Sequence, residues 1–223
     1  EVFEKGWRKY LEDSWVGSTS RARYNYNWSL DDNNRPLVNF YTDKIHQRKN
    51  YKWTHPVHEV LTFLGDKENI ITIDNIVLNH YSDKSKSRGS YLPLLELSVK
   101  EDPNDDRNMH YLGREYMYYG KWNECIDTLI KHLNLKSSTW KDERCASMRF
   151  IARSYKNLGR VEESKMWYDK AINEAPYLRD SYVERGILEY ELDNYKEASK
   201  YLNDALNINS HEKTYINEIF SWD

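Results

Sequence analysis

The sequence has little cysteine, glycine or proline: two, eight and five residues in a chain of 223. Two cysteines are too few for the disulfide framework of a small secreted domain or for a cysteine-based metal cluster, which favours a reducing, cytoplasmic compartment. No apolar run approaches the roughly 18 residues that cross a bilayer, so no transmembrane segment is expected. The net charge is only −3, which excludes a purely electrostatic nucleic-acid binder.

Aromatic residues, in contrast, are abundant and make up 14% of the chain. A mean hydropathy of −0.94 together with 31% charged residues would suggest disorder. So many rings indicate a folded chain with aromatic-lined surfaces instead. The chain opens on Glu1 without an initiator Met, from which we expect a fragment of a longer protein.

The strongest pattern is a repeat that returns three times. Gly113, Ala152 and Gly186 each occupy the small-residue position at which the two helices of a tetratricopeptide repeat approach closely. The interval from Ala152 to Gly186 is the repeat length of about 34 residues, and the preceding interval is longer because a loop is inserted. Residues 87–223 are therefore predicted to form an all-α tetratricopeptide-repeat solenoid. Its parts are a half repeat at 87–105, repeats at about 106–139, 145–178 and 179–212, and a last helix at 212–223.

Arginines recur on the predicted first helices of these repeats. First helices line the concave face of such arrays, and an arginine-bearing groove could hold an acidic peptide or a glycan. Solvated helix faces would explain the same residues. The residues are Arg107, Arg114, Arg144, Arg149, Arg153, Arg179 and Arg185.

Residues 1–86 have a different period and are predicted to be strand-rich. A short helix is expected at 4–15, and Tyr24, Tyr26 and Trp28 then alternate with polar residues, as in a strand with an aromatic face. A turn follows at 31–34, and 69–78 is an apolar, β-branched strand. The alternating rings could stack on a sugar or pack in a core, and the pattern favours neither.

Two polar groups in this front part suggest chemistry. His55, His58 and Glu59 could bind a metal and accept a proton, or a histidine at a strand end could simply bond a backbone carbonyl. His80 follows a buried strand and precedes Lys84 and Arg88, which is an arrangement that suits a diphosphate and a metal. Taken alone, a solvated, charged linker between two modules explains the second group more simply.

Taken in order, these motifs resemble the family-two-like glycosyltransferases of bacteria and phages that join a GT-A catalytic domain to C-terminal tetratricopeptide repeats. The resemblance rests on the segments at 26–31, 43–48 and 51–59, on His80, and on the repeats that follow. It implies an α+β chain in which residues 1–86 are the strand-rich, acceptor-side part of the catalytic domain. The donor-binding half and its Asp-x-Asp motif would lie upstream, so this portion would be inactive alone.

The resemblance also implies a role for each candidate residue. Glu59 would deprotonate the acceptor hydroxyl, and His80 would complete the shell of a Mn²⁺ or Mg²⁺ ion. The partners would be a nucleotide-sugar donor and a glycan, lipid or protein acceptor. Lys84 and Arg88 would face the donor phosphates, and the acceptor side would be lined by His58, Lys44, His46, Arg48 and Trp53.

A second hypothesis is a non-enzymatic adaptor that binds a protein partner in its repeat groove. It is favoured by the missing donor half and by the completeness of the repeat array. The two hypotheses differ in one structural expectation, because only the transferase requires Glu59 and His80 to face a shared cleft.

Overall fold

The computed structural model describes residues 1–57, 59–82, 89, 91–209 and 211–221. These residues form two compact units. The front unit contains residues 1–82 and the segment Lys213–Tyr215, and the helical unit contains 91–212 and Ile216–Ser221. None of the helices in these ranges is long and apolar enough to cross a membrane.

The front unit is built on a four-stranded sheet with a separate two-stranded hairpin. In chain order its elements are β1 (Val2–Phe3), α1 (Trp7–Ser14), β2 (Arg21–Leu30), β3 (Pro36–His46), β4 (Tyr51–Thr54), β5 (Val60–Phe63) and β6 (Ile70–Asn79). The strand order in the main sheet is β1-β6-β2-β3, and β4 pairs with β5. β2 runs parallel to β6, whereas the other neighbouring strands are antiparallel.

A strict period of two would place the alternating aromatic residues of β2 on one face of the sheet. The strand pairing, however, shifts register between Tyr24 and Asn25 and again between Asn27 and Ser29. Tyr24 is 2% exposed and lies in the core with Ile73 and Ile76, against which α1 packs. Trp28 is 50% exposed. The rings therefore divide between core packing and a surface, and the aromatic pattern alone could not separate these roles.

The helical unit consists of antiparallel helices that pair in sequence. They are α2 (Tyr91–Glu101), α3 (Asp106–Tyr118), α4 (Trp122–Asn134), α5 (Lys141–Asn157), α6 (Val161–Glu174), α7 (Arg179–Glu191) and α8 (Tyr195–Leu206). α2 packs against α3 as the predicted half repeat, and the pairs α3–α4, α5–α6 and α7–α8 fall on the three predicted repeats. α5 begins at Lys141, before the predicted start at 145.

Small residues hold the two helices of a repeat close together. A Cβ atom on Gly113 would lie 2.3 Å from Leu129 Cδ2, and one on Gly186 would lie 2.9 Å from Leu202 Cγ. The equivalent residue of the middle repeat, Ala152, is fully buried. At this position the helix pair of the first repeat is thus packed more tightly than that of the third.

Each repeat turns between its helices through a residue with positive φ. These residues are Gly120 (φ 68°), Gly159 (φ 73°) and Asp193 (φ 61°). Glycine adopts this left-handed conformation without a steric penalty, and Asp is one of the few other residues that tolerate it.

The last predicted helix, at 212–223, is wrong within the described residues. Those residues contain only a 3₁₀ turn at Ile219–Ser221. The N–H of Glu218 donates to Asp180 Oδ1 over 2.6 Å, whereas in an α-helix it would donate to a carbonyl four residues earlier. Ile216, an apolar residue of this segment, is nevertheless buried in the helical unit.

Candidate functional site

The two residues predicted to act together in sugar transfer are anchored at opposite ends of β2. Glu59 is exposed and precedes β5, which is held by a 2.8 Å hydrogen bond from Arg21 Nη2 to the carbonyl of Leu61. His80 follows β6, and its N–H donates to the carbonyl of Asn27 over 2.9 Å. Asn27 lies six residue steps along β2 from Arg21, a rise of about 20 Å. The structure therefore does not bring Glu59 and His80 into one site.

His80 instead has local partners in the front unit. Its Nδ1 lies 3.8 Å from Glu1 Oε1, and its ring packs edge-on to Tyr26. It also lines a shallow cavity of about 350 Å³ together with Trp28, Ser29, Leu30, Asp31, Asn34, Tyr81 and Ser82. Asp31 Oδ1 accepts the N–H groups of Asn33 and Arg35, so this carboxylate caps the predicted turn.

The residues predicted to line the acceptor side are only partly grouped. The His46 ring lies 6.3 Å from the Trp53 ring and 4.8 Å from Tyr51, so the end of β3 packs against the β4–β5 hairpin. Lys44 and Arg48 are exposed. His58, Lys84 and Arg88 lie outside the described residues.

A buried polar network lies between the first two repeats. His132 Nδ1 lies 3.0 Å from Ser147 Oγ, which is 2.8 Å from His110 Nδ1. His132 Nε2 lies 3.2 Å from Glu143 Oε1 and also contacts Ser138. Burial, followed by the positive charge of neighbouring His132 and three arginines, lowers the pKa of His110 well below its ordinary value.

The same network contains the groups in the described residues that come nearest to a metal site. Ligand atoms of Asp106, His132 and Glu143 lie within 4.8 Å of one another. Both nitrogens of His132 already have hydrogen-bond partners. We interpret the cluster as a hydrogen-bond network that joins the repeats.

Charged side chains lie along α3, α5 and α7, the first helices of the repeats. We call the face of the helical unit that these three helices form the first-helix groove. Arg149 and Arg153 lie one turn apart on α5, and Asp180 and Glu184 lie one turn apart on the facing α7. Glu184 Oε1 is 2.5 Å from Arg149 Nη1 and 2.7 Å from Arg153 Nη2. Arg149 Nη2 is 3.8 Å from Asp180 Oδ1. The two helices are therefore joined by a network of two cations and two anions.

These charges set one another's ionisation. Burial alone would lower the pKa of Arg149, but Glu184, Asp180 and Glu218 raise it well above the ordinary value. Burial alone would likewise raise the pKa of Glu184, but Arg149 and Arg153 lower it. Arg149 and Glu184 are therefore both charged at neutral pH.

Ile216–Ser221, the return segment, lies on this groove. Glu218 Oε1 is 2.5 Å from Arg153 Nη2 and 3.3 Å from Arg149 Nη1. The hydroxyl of Ser221 donates to Asp180 Oδ2 over 2.6 Å. The chain thus shows how a polypeptide is held on the groove.

The α3 end of the groove carries arginines stacked on tyrosines. The Arg114 guanidinium lies 4.5 Å from the Tyr111 ring centre and 5.9 Å from that of Tyr118. Arg107 also lies over Tyr111 and donates to its hydroxyl. Among the described residues Arg114 has no carboxylate partner, in contrast to Arg149 and Arg153.

Comparison with known proteins identifies the repeats. A family model described as "Tetratricopeptide repeat" matches residues 150–177 and 180–212. These two segments are tetratricopeptide repeats. No curated protein sequence matches the chain.

Solved structures resemble the chain over about half of its length. MamA of MSR-1 is 18% identical with a TM-score of 0.44, over 52% of this chain and 64% of that one. Pseudomonas aeruginosa PilF is 13% identical with a TM-score of 0.46, over 53% and 52%. A putative kinesin light chain of Podosopora anserina is 22% identical with a TM-score of 0.44, over 54% and 66%.

The predicted glycosyltransferase function is wrong. The family match concerns the repeats alone and gives no support to a GT-A portion. The placement of Glu59 and His80 at opposite ends of β2 removes the shared cleft on which that prediction depended. The segments that carried the resemblance to glycosyltransferases lie at the ends of β2 and β3, in the β4–β5 hairpin and directly after β6.

Sequence reasoning missed the acidic half of the groove. Arg149 and Arg153 were identified on a first helix, but Asp180, Glu184 and Glu218 were not. The signal was available in part, because Asp180 and Glu184 repeat the spacing of four residues one repeat later. The contribution of Glu218 depends on the chain turning back after α8, which no spacing in the sequence indicates.

Proposed function

We propose that the chain is an adaptor whose first-helix groove binds a protein partner. The observation that carries this proposal is that the return segment lies across α5 and α7 and bonds their side chains with its own backbone and side chains. Extended concave surfaces of repeat arrays are suited to polypeptide binding.

The α3 end of the groove offers the rest of the binding surface. Arg114 is half-buried against Tyr111 and presents a guanidinium that a partner carboxylate can pair with. A cation already held against a ring loses little conformational freedom on binding. Aromatic and arginine side chains of this kind dominate the energy of protein interfaces.

The proposal is tested by measuring the binding of short acidic and neutral peptides to the chain by fluorescence anisotropy. Arg114→Ala is expected to weaken the best binder about tenfold, because it removes a partly desolvated charge. Arg160→Ala is the matched control, since Arg160 also stacks on a tyrosine, Tyr155, but lies just before α6 and pairs with Glu163. Absence of any binder, or equal weakening by both substitutions, would overturn the proposal.

A further inference from the structure

We propose that the groove recognises an acidic turn, in which a carboxylate is followed three residues later by a hydroxyl, and that the return segment is the chain's own copy of that ligand. This inference rests on the proposed function and adds the chemistry of the partner. The return segment then competes with an external ligand for the groove.

The first contact is a carboxylate subsite on α5. Glu218 presents Oε1 to Arg153 and Arg149, while Glu184 holds both guanidiniums from the other side. Glu184 thereby fixes the two arginines before any ligand arrives. Fixed, charge-assisted donors of this kind select a carboxylate over a neutral group.

The second contact is a hydrogen-bond subsite at Asp180, which is fully buried. One oxygen accepts the N–H of Glu218 and the other accepts the hydroxyl of Ser221, each over 2.6 Å. The spacing between the two donors is set by a tight turn, in which the N–H of Ser221 donates to the carbonyl of Glu218. A ligand therefore needs both the turn and a hydroxyl at its fourth residue.

The return segment can leave without leaving a net charge in the groove. Without Glu218 the groove still contains two arginines, Arg149 and Arg153, balanced by Asp180 and Glu184. The Glu218 side chain is 30% exposed, whereas that of Glu184 is 7% exposed. Glu218 is thus a third carboxylate at the edge of a network that is already neutral, as expected for a displaceable ligand.

When the return segment occupies the groove, the apparent affinity of an external ligand falls by a factor that can be calculated. A tethered segment acts at an effective concentration of roughly millimolar. If its affinity in isolation is about 0.1 mM, the groove is about 90% occupied, and an external turn binds about tenfold more weakly than to the open groove.

Two measurements on the full chain test the inference. The first is hydrogen exchange of the backbone amide of Glu218, which we expect to be protected in the unaltered chain and exposed after Glu218→Gln with Ser221→Ala. The second is binding of a fluorescent peptide with the sequence of residues 211–221, which we expect to bind the double variant about tenfold more tightly than the unaltered chain. Glu212→Gln, at an exposed residue just before the return segment, is the control that should change neither result.

A third variant locates the peptide. Arg153→Gln added to the double variant should abolish peptide binding, while Arg149 still contacts Asp180 and Glu184 and joins α5 to α7, so that the fold persists by circular dichroism. Unprotected exchange at Glu218 in the unaltered chain, or equal peptide affinity for the unaltered chain and the double variant, would overturn the inference and leave the adaptor proposal standing. Loss of protection in the double variant without any peptide binding would instead overturn the groove as a binding site.

Discussion

Each unit of this protein contains a buried arginine, and the two differ in where their partners come from. In the front unit Arg21 lies 3.1 Å from Asp43 and 2.8 Å from Glu68, and donates to the carbonyl of Leu61. These partners tie the main sheet to the β4–β5 hairpin. In the helical unit Arg149 is held by Asp180 and Glu184 and also by Glu218, from a segment with a single 3₁₀ turn.

The comparison separates a structural charge from a binding charge. Every partner of Arg21 lies in a strand or loop of the front unit, so these contacts stabilise that unit. The arginines of α5 have the same kind of fixed partners and one more that regular structure does not hold. In our proposal this additional partner, Glu218, is the one that an external ligand replaces.

The largest expected effect is that of Arg149→Ala. It leaves the buried carboxylates of Asp180 and Glu184 with only one cation, and we expect the helical unit to lose about 3–5 kcal/mol of unfolding free energy. Urea denaturation followed by far-UV circular dichroism measures the loss. Arg160→Ala, at an exposed pair, should change stability by less than about 0.5 kcal/mol. A loss below about 1 kcal/mol for Arg149→Ala would show that the network does not stabilise the helical unit.

Arg21→Ala should cost less, about 2–3 kcal/mol, because the carboxylates that it abandons are partly hydrated. The Asp43 and Glu68 side chains are 37% and 25% exposed. Hydrogen exchange should show the loss in the β4–β5 hairpin and β2. Arg23→Ala, at an exposed position of the same strand, is the matched control. Unchanged exchange in the hairpin would show that Arg21 does not anchor it.

Acidification tests the buried network of the first two repeats. The folded pKa of His110 is lowered, so below about pH 6.5 the unfolded chain binds a proton that the folded chain does not. Stability is therefore retained above about pH 6.5 and falls below it, by up to about 1.4 kcal/mol per pH unit, or about 2 kcal/mol by pH 5. Urea denaturation across this range measures the slope.

The control for that titration is His110→Gln, which keeps hydrogen-bonding capacity toward Ser147 but cannot titrate. We expect the variant to be less stable at neutral pH and to lose most of the slope. An equal slope in both proteins would assign the pH dependence to other groups.

The smallest expected effects are those of alanine substitutions at the close-approach glycines of the first and third repeats. Gly113→Ala forces Leu129 to move and should cost about 1–2 kcal/mol despite the better helix propensity of alanine. Gly186→Ala meets Leu202 Cγ at 2.9 Å and the carbonyl oxygen of Ala198 at 3.4 Å, which is a milder clash, and should cost less than about 1 kcal/mol. Thermal unfolding of both variants ranks the two sites. The reverse ranking would contradict the tighter packing of the first repeat.

The helical unit was largely predictable because its rules are local. Gly113, Ala152 and Gly186 set the close approach of each helix pair, and the apolar spacing between them determines where helices begin and end. The prediction of a last helix failed because Asp180, far away in sequence, accepts the N–H of Glu218. Periodicity cannot report a competing acceptor from another helix.

The front unit was predictable in its strands and unpredictable in its site. The aromatic alternation and the apolar run correctly indicated β2 and β6, but not that the two strands lie side by side in parallel. That pairing, together with the anchoring of β5 by Arg21, determines where Glu59 and His80 lie. Motifs compared along the chain carry no information about such placement.

The two cysteines are buried within the repeats, where burial raises the pKa of each thiol to about 11. Cys125 sits beside the carbonyl of Phe150, and Cys145 beside Ser181 and the carbonyl of Ala171. A thiol held protonated in this way reacts with an alkylating reagent only when the helices around it separate. The rate at which each cysteine is alkylated would therefore measure how often the helices around it separate. No added probe is needed, because both thiols belong to the native sequence.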